Sequence, residues 1–285
     1  EGIHDALSFM SGLRAAARIK PVIALKVGRH ASGSKAAMSH TGALVGSDDV
    51  FDSALRRAGV LRGIRIANLF SAAGTLTYPV KASGDRLVII TNGGGPGVMA
   101  TDRLADLHLP LAELSEVTMK RLDEVLPATW SKGNPVDIIG DATPERYTQA
   151  VEICMRDPGV DGMLVLLTPQ AMTDPAGVAR SLIELKTGGK PLLTCWMGEI
   201  QVAEGRRILR DADIPTFNTP ETAVDAFSYL VNYSRNQKLL LETPGPMSRD
   251  RAPDVEGARL IIESVLGEGR KVLSEAESKA VLHAF

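Results

Sequence analysis

A single histidine, His40, stands in the run Ser39-His40-Thr41-Gly42-Ala43-Leu44, with Gly28, Gly33 and Gly46 nearby. A neutral imidazole is nucleophilic near pH 7 without activation, and glycines let backbone N–H groups come close to an anion. Ser39 and Thr41 add hydroxyl donors on either side. The chemistry this combination suits is phosphoryl carriage on His40 in a small-residue loop, with Ser39, Thr41 and Gly42 at the phosphate. A histidine in an ordinary loop fits the same local residues. A second segment, Asn92-Gly93-Gly94-Gly95-Pro96-Gly97, follows an apolar run and precedes a helical pattern, the place where backbone amides and a helix dipole hold phosphate. A tight strand-to-helix turn is its structural alternative. The segment does not fit the dinucleotide fingerprint: counted from Gly93 and Gly95, the third glycine position falls on Val98, and no acid follows on a clear second strand. The Gly-Lys-Ser/Thr end of a Walker loop is missing as well.

Other candidates carry less chemistry. Asn134-Pro135-Val136-Asp137 presents an amide and a carboxylate, yet Asn-Pro and Asp are also ordinary turn formers. Trp196-Met197-Gly198-Glu199 could line an acyl pocket or simply end a buried strand. Cys154 and Cys195 sit far apart in apolar stretches and read as buried free thiols, and His4, His30, His40, His108 and His283 show no zinc-like spacing, so no metal site is expected. No Ser/His/Asp order or paired-carboxylate spacing stands out.

These residues need a scaffold, and the periodicity supplies one. Apolar positions at helical spacing from Ile3 to Ile19 precede a short apolar run, Pro21–Val27, read as a helix and a buried strand. A helix follows Ser47-Asp48-Asp49 and stops at Gly59; then come a strand at Val60–Arg62 and a helix at Ile66–Thr77. After a polar connector, Tyr78–Asp85, strands are expected at Leu87–Thr91, Val136–Ile138, Met163–Leu167, Leu192–Trp196 and Pro215–Phe217. Helices are expected through Val98–Leu107 and at Ser115–Leu126, Pro144–Arg156, Pro175–Thr187, Val202–Ala212 and Pro220–Lys238. Thr143-Pro144-Glu145 and Thr219-Pro220-Glu221 are strong helix starts, with a Thr cap, Pro at the first position and an acid in the first turn. Alternating strands and helices imply parallel, doubly wound α/β sheets, whose ligands bind outside the carboxyl ends of the strands. Beyond a linker opening at Thr243-Pro244-Gly245-Pro246, Val255–Leu266 is amphipathic and Leu273-Ser274-Glu275-Ala276-Glu277 reads as a capping box.

With 285 residues, 44% hydrophobic residues and a net charge of −2, the chain has ample material for cores and no electrostatic footprint for nucleic acid or an anionic membrane. No apolar run is long enough to span a bilayer, and residues 1–20 do not read as a signal peptide, so the cytoplasm is the expected compartment.

Taken together, Lys26-Val27-Gly28-Arg29, Ser39–Leu44 with Gly46 and Ser47, Asn92–Gly97, Asn134-Pro135-Val136-Asp137 and Arg235-Asn236-Gln237-Lys238 resemble the NDP-forming acyl-CoA synthetases, which include ADP-forming acetate-CoA ligase and are relatives of succinyl-CoA synthetase. The resemblance covers about the whole chain. It implies two Rossmann-like, flavodoxin-like domains of succinyl-CoA synthetase type: the C-terminal part of the phosphohistidine domain at 1–83, a second CoA-ligase domain at 84–244, and a linker with the start of an ATP-grasp-like domain at 245–285. The first domain is expected to be incomplete at its N-terminus, and the start at Glu1 rather than Met points to a fragment, inactive by itself. The implied reaction couples acyl-CoA cleavage to nucleotide phosphorylation through an acyl phosphate and a phosphohistidine. His40 is the implied phosphorylated residue, Glu1 falls at the place of a glutamate that hydrogen-bonds it, and Asn92, Gly93, Gly94, Gly95, Thr168 and Gln170 are the implied phosphate side, with Asn134 and Asp137 toward substrate. The implied ligands are CoA, ATP/ADP and Mg²⁺, bound mainly by domains outside the chain, and the implied partners are the CoA-binding and ATP-grasp domains of the parent protein and further copies in a homo-oligomer. The synthetase-like region of bacterial protein lysine acetyltransferases is also similar, which leaves a non-catalytic acyl-CoA sensor as the alternative. A pair of doubly wound domains used for subunit association is the blandest reading.

Overall fold

The computed structural model describes residues 3, 5–41, 47–242 and 253–284, and only the backbone of Met38, His40 and Thr41. Residues up to 241 form one packed unit and those from 242 a second.

In the first unit, Asp5 accepts the Ser8 N–H at 3.0 Å and opens helix α1 (Ala6–Ile19). Strand β1 (Ile23–Leu25), helix α2 (Ala31–Thr41), helix α3 (Asp48–Arg57), strand β2 (Leu61–Gly63) and helix α4 (Ile66–Thr77) follow. The two strands pair in parallel, Ile23 with Leu61 through Leu25 with Gly63. Helix α2 corrects the expectation of a loop around the histidine: Ser39, His40 and Thr41 are its last residues. Ala31, Lys35, Ala36, Ala37 and Met38 are good helix formers, and Gly33 alone does not outweigh them. Gly42 to Gly46 lie outside the described residues.

The remainder of this unit is built from β3 (Leu87–Thr91), α5 (Gly94–Asp106), α6 (Glu116–Val125), β4 (Val136–Asp137), α7 (Pro144–Met155), β5 (Gly162–Leu167), α8 (Pro175–Ile183), β6 (Leu192–Trp196), α9 (Ala203–Asp211), β7 (Thr216–Phe217) and α10 (Pro220–Leu241). The sheet is five-stranded and parallel, in the order β4-β3-β5-β6-β7. Successive strand residues alternate between two buried clusters. Val88, Ile90, Met163, Val165 and Trp196 pack under α6 to α9 with Leu122, Tyr147 and Leu182. Leu87, Ile89, Leu164 and Cys195 pack under α5 and α10 with Leu104 and Phe227. Both faces are therefore covered, which explains why these strands read as continuous apolar runs. The Thr-Pro-Glu starts act as expected, with Thr143 accepting the Arg146 N–H and Thr219 the Thr222 N–H, each at 3.3 Å.

Helix α10 belongs to both sheets. Its C-terminal Leu240 enters the small core of the two-stranded region beside Ala17, Leu55, Ala58 and Val60. Gly59, at φ +78°, leaves the room: a Cβ there would lie 2.2 Å from Leu240 Cδ1. The Arg235-Asn236-Gln237-Lys238 segment fastens the joint. Asn236 donates to the Val60 carbonyl at 3.2 Å and Gln237 to the Ala17 carbonyl at 3.0 Å, while Arg235 pairs with Asp85.

The second unit contains α11 (Val255–Gly267) and α12 (Glu275–His283). The expected capping box is present: Ser274 accepts the Glu277 N–H at 3.4 Å, and Glu277 accepts the Ser274 N–H at 2.6 Å. Arg270 grips the same Glu277 carboxylate at 2.6 and 2.9 Å and, with the Ser274 bonds, holds it down at about 2.

Candidate functional site

The five-stranded sheet starts in its interior. β3 is followed outward by β4 on one side, and the chain then crosses to β5 on the other side. That reversal leaves a crevice at the carboxyl ends of β3 and β5, where doubly wound sheets take their ligands. Asn92-Gly93 leaves one strand there and Thr168-Pro169-Gln170 the other.

Asn92 is buried and ties the two loops together. Its Oδ1 accepts the Thr168 N–H at 2.8 Å and the Thr168 hydroxyl at 2.9 Å, and its Nδ2 donates to the Thr168 carbonyl at 2.9 Å. Gln170 Nε2 donates to the Asn92 carbonyl at 3.3 Å. Thr91 fixes the next peptide, its hydroxyl accepting the Gly93 N–H at 3.1 Å and donating to the Gly93 carbonyl at 2.8 Å. A helix begins with four N–H groups that have no partner within it. For α5, with Gly93 as its N-cap, the Gly93 N–H goes to Thr91 and Pro96 has none to offer. Gly94 and Gly95, both exposed, present the two that remain, at the positive end of the helix dipole. The predicted phosphate set thus divides: Asn92, Thr168 and Gly93 are frame, and Gly94 and Gly95 are open donors.

The loop after β4 completes the rim. Asp137 Oδ1 accepts the Ile139 N–H at 2.9 Å, and Oδ2 lies 3.3 Å from where a Gly94 Cβ would stand. The Gln170 amide covers Gly140 so closely that a Cβ there would be 2.3 Å from Gln170 Oε1. Arg146 anchors this loop from α7, donating to the Ile138 carbonyl at 3.1 Å and to Asp141 at 2.5 Å. The sequence reading passed over Thr91 and Arg146. A hydroxyl ending an apolar strand marks the first; for the second, only the helix start at Thr143 offered a hint.

Other predicted residues lie elsewhere. Asn134 is not at the crevice: its amide accepts from Ile89 N–H at 3.0 Å and donates to the Leu87 and Ala112 carbonyls at 3.0 and 2.9 Å, standing in for strand pairing. Its side chain is spent on the sheet, which overturns the expectation of a substrate contact. Trp196 is fully buried, with Nε1 on the Pro175 carbonyl at 3.0 Å, so it lines no pocket. Ser39 donates its hydroxyl to the Ala36 carbonyl of its own helix at 2.7 Å. The side chains of His40 and Thr41, and Glu1 and Gly42 entirely, lie outside the described residues.

In the two-stranded region, charge gathers at the carboxyl ends of β1 and β2. Asp48 receives Arg62 at 2.6 Å, Lys26 at 3.5 Å and Arg29 at 3.7 Å, and Arg62 also reaches Asp52 at 3.2 Å. The Arg62 hydrogen bond, against burial and helped by Lys26, holds the Asp48 carboxyl below its ordinary range. Among the described residues no group of three or more His, Cys, Asp or Glu is placed to hold a metal ion. Both cysteines are free and buried, and burial pushes each thiol up to about 12. Among the described residues no helix is long and apolar enough to cross a membrane.

Comparison with known proteins brings further observations. Residues 1–76 match the succinyl-CoA ligase like flavodoxin domain and residues 87–240 the ligase-CoA domain. The chain is 40% identical over 285 residues to acetate–CoA ligase (ADP-forming) I of Archaeoglobus fulgidus, covering 100% of this chain and 40% of that protein. It is 37% identical over 238 residues to the alpha subunit of acetate–CoA ligase (ADP-forming) I of Pyrococcus furiosus, covering 82% of this chain and 51% of that subunit. Among solved structures, the dinucleotide forming acetyl-coenzyme A synthetase 1 of Ca. Korarchaeum cryptofilum in complex with phosphate and ADP superposes with a TM-score of 0.76 at 32% identity, covering 86% of this chain and 54% of that one. The chain spans about half the length, or less, of these relatives.

Proposed function

Because the chain belongs to the NDP-forming acyl-CoA synthetases, through their succinyl-CoA ligase-like flavodoxin and ligase-CoA domains, we propose that it is the central part of an acid–CoA ligase that carries a phosphoryl group on His40. The observation that carries this reading is the open amide pair of Gly94 and Gly95, held rigid at the crevice by Asn92, Thr168 and Thr91. The reaction would run from acyl-CoA and phosphate to acyl phosphate and CoA. An imidazole nitrogen of His40 then bonds to phosphorus as the bond from phosphorus to the acyl carboxylate oxygen breaks, releasing the acid. ADP takes the phosphoryl group to give ATP and restores the imidazole. Transfer of this kind depends on positioning and on charge stabilisation at the non-bridging oxygens, which two amides at a helix N-terminus supply. Asp137 offers the acceptor of the site and Gln170 a side-chain amide.

The same reading assigns residues 1–83 to the histidine domain, 84–244 to the cradle domain and 245–285 to the entrance of a nucleotide-binding domain. It leaves CoA, nucleotide and Mg²⁺ mainly to other parts of the protein. Glu1, Thr41 and Gly42 keep their proposed places beside His40 on the strength of family position. A soluble, cytoplasmic homo-oligomer is the setting that goes with the family.

Incubating the intact protein with labelled ATP and Mg²⁺, or with acetyl phosphate, tests this. An acid-labile, base-stable phosphoryl adduct is expected, and its loss in His40→Ala assigns it. No adduct under either condition rejects the reading.

A further inference from the structure

The five-stranded sheet ends at β7, and its carboxyl end, where doubly wound sheets take ligands, opens onto two hollows. One, of about 400 Å³, lies between β7, the start of α10 and helix α4; Phe70, Tyr78 and Phe217 supply its aromatic surface, and Ser71, Thr216 and Asn218 its polar groups. The other, of about 370 Å³, lies between the loop after β6 and helix α9 and is lined by Glu199, Ile200, Arg206 and Arg210. Asn218 lines both, so the two form one groove of the size that small ligands occupy.

The ends of the groove differ in charge. Among the described residues no charged side chain lines the aromatic hollow, whereas the other holds two arginines against one acid. Arg206 is fastened in place, its Nε donating to the Trp196 carbonyl at 3.0 Å and its Nη2 to the Gly198 carbonyl at 2.6 Å, which leaves Nη1 facing the exposed Glu199 at 3.9 Å. Arg210, one helical turn on, is exposed and has no ion-pair partner among the described residues. At the aromatic end, Phe70 is 69% exposed although its helix is anchored, Asn68 Nδ2 donating to the Tyr229 hydroxyl of α10 at 3.0 Å. Thr216, in the wall of the same hollow, carries a buried hydroxyl with no partner, a group that water or a ligand ordinarily satisfies. Aromatic side chains stack on any nucleobase, and arginine is the residue suited to phosphate. A small carboxylate would leave the aromatic end empty, and an apolar chain would leave the arginines unpaired.

We propose that this groove binds a nucleotide, with its base in the Phe70–Phe217 hollow and its phosphates at Arg206 and Arg210. ADP and the nucleotide end of CoA share that chemistry, and separate titrations distinguish them. The groove does not depend on the phosphoryl reading of the Gly94–Gly95 crevice, and neither falls with the other. In ¹⁵N-resolved spectra of this chain, ADP, CoA or both move the Phe70, Phe217 and Asn218 amide resonances. A response to ADP alone identifies the free nucleotide, and a response to CoA identifies its nucleotide end. Arg210→Gln weakens nucleotide binding about tenfold, the size of one charge-assisted hydrogen bond, and leaves the weaker binding of adenosine unchanged. Arg207→Gln is the control: it removes the same charge from the same helix, where Arg207 pairs with Asp211 at 3.1 Å, and leaves nucleotide binding unchanged. Gly74 lines the aromatic hollow, and a Cβ there would meet nothing within 4 Å. Gly74→Leu therefore puts a better helix former into α4, fills the hollow and abolishes binding of nucleotide and adenosine alike. Pyrophosphate that binds as tightly as the nucleotide overturns the base site, and nucleotide that binds Arg210→Gln as well as wild type overturns the phosphate site. Phe70 and Asn218 amides that ignore both ADP and CoA overturn the proposal outright.

Discussion

The two sheets of the first unit are stabilised in different ways. The five-stranded sheet is buried on both faces by its own helices, with Trp196, Tyr147, Phe227 and Leu104 in clusters that draw on no other region for their main mass. The two-stranded sheet has a small core, and one of its buried members, Leu240, comes from a helix of the other region. The cradle therefore stands on the firmer sheet, and the helix that ends in the histidine belongs to the one that leans on its neighbour.

Substitutions can break this comparison at either end. Trp196→Ala is expected to cost about 4 kcal/mol and to unfold both regions together, because α10 has no anchor without the five-stranded core; a single cooperative loss in calorimetry checks it. Leu240→Ala is expected to cost about 3 kcal/mol but to act locally. Hydrogen exchange rises in α1, β1, α3 and β2 and stays slow in β3, β5 and β6. Equal loosening of both sheets would show that the two-stranded region does not depend on α10 in particular. Asn236→Ala, which removes the bond to the Val60 carbonyl, is expected to loosen the same elements by about 1 kcal/mol.

The smallest effect sharpens the comparison through pH. Burial works to raise the Asp157 carboxyl, yet its bonds from Thr118, Ser115 and Gly159 win and hold it below the ordinary range; Arg86 holds Asp161 below it against burial. A carboxyl depressed in the folded state contributes stability that is fully present above its unfolded value, near 4, and is lost as pH falls through the folded value. Thermal midpoints reported by the five-stranded sheet should thus hold above about pH 5 and fall below about pH 4. Asp157→Asn removes part of that slope.

Much of this architecture was legible before any coordinates. Leu87–Thr91 and Leu192–Trp196 are strands with the bounds that their apolar runs imply, because strands buried on both faces admit little else. Ile66–Thr77 and the two Thr-Pro-Glu helices follow from local propensity and capping, which need no tertiary knowledge. Helix α2 was missed because the glycines around His40 resemble a loop while Ala31 to Met38 carry no amphipathic stripe to announce a helix. Asn134 was misplaced for another reason: the amide's partners, Ile89, Leu87 and Ala112, are more than twenty residues away, and no local pattern signals a side chain replacing a strand's rungs.

Thr91 and Pro96 between them remove half of what a helix start normally offers, and the remainder is a two-pronged clip. A tetrahedral guest has three oxygens to satisfy besides the bond that is changing hands. In the proposed role two prongs would meet two of them and leave the third corner bare, so the clip would hold its guest without enclosing it. Whatever completes that grip would have to arrive from the far side, and the guest would leave by the way the last partner came.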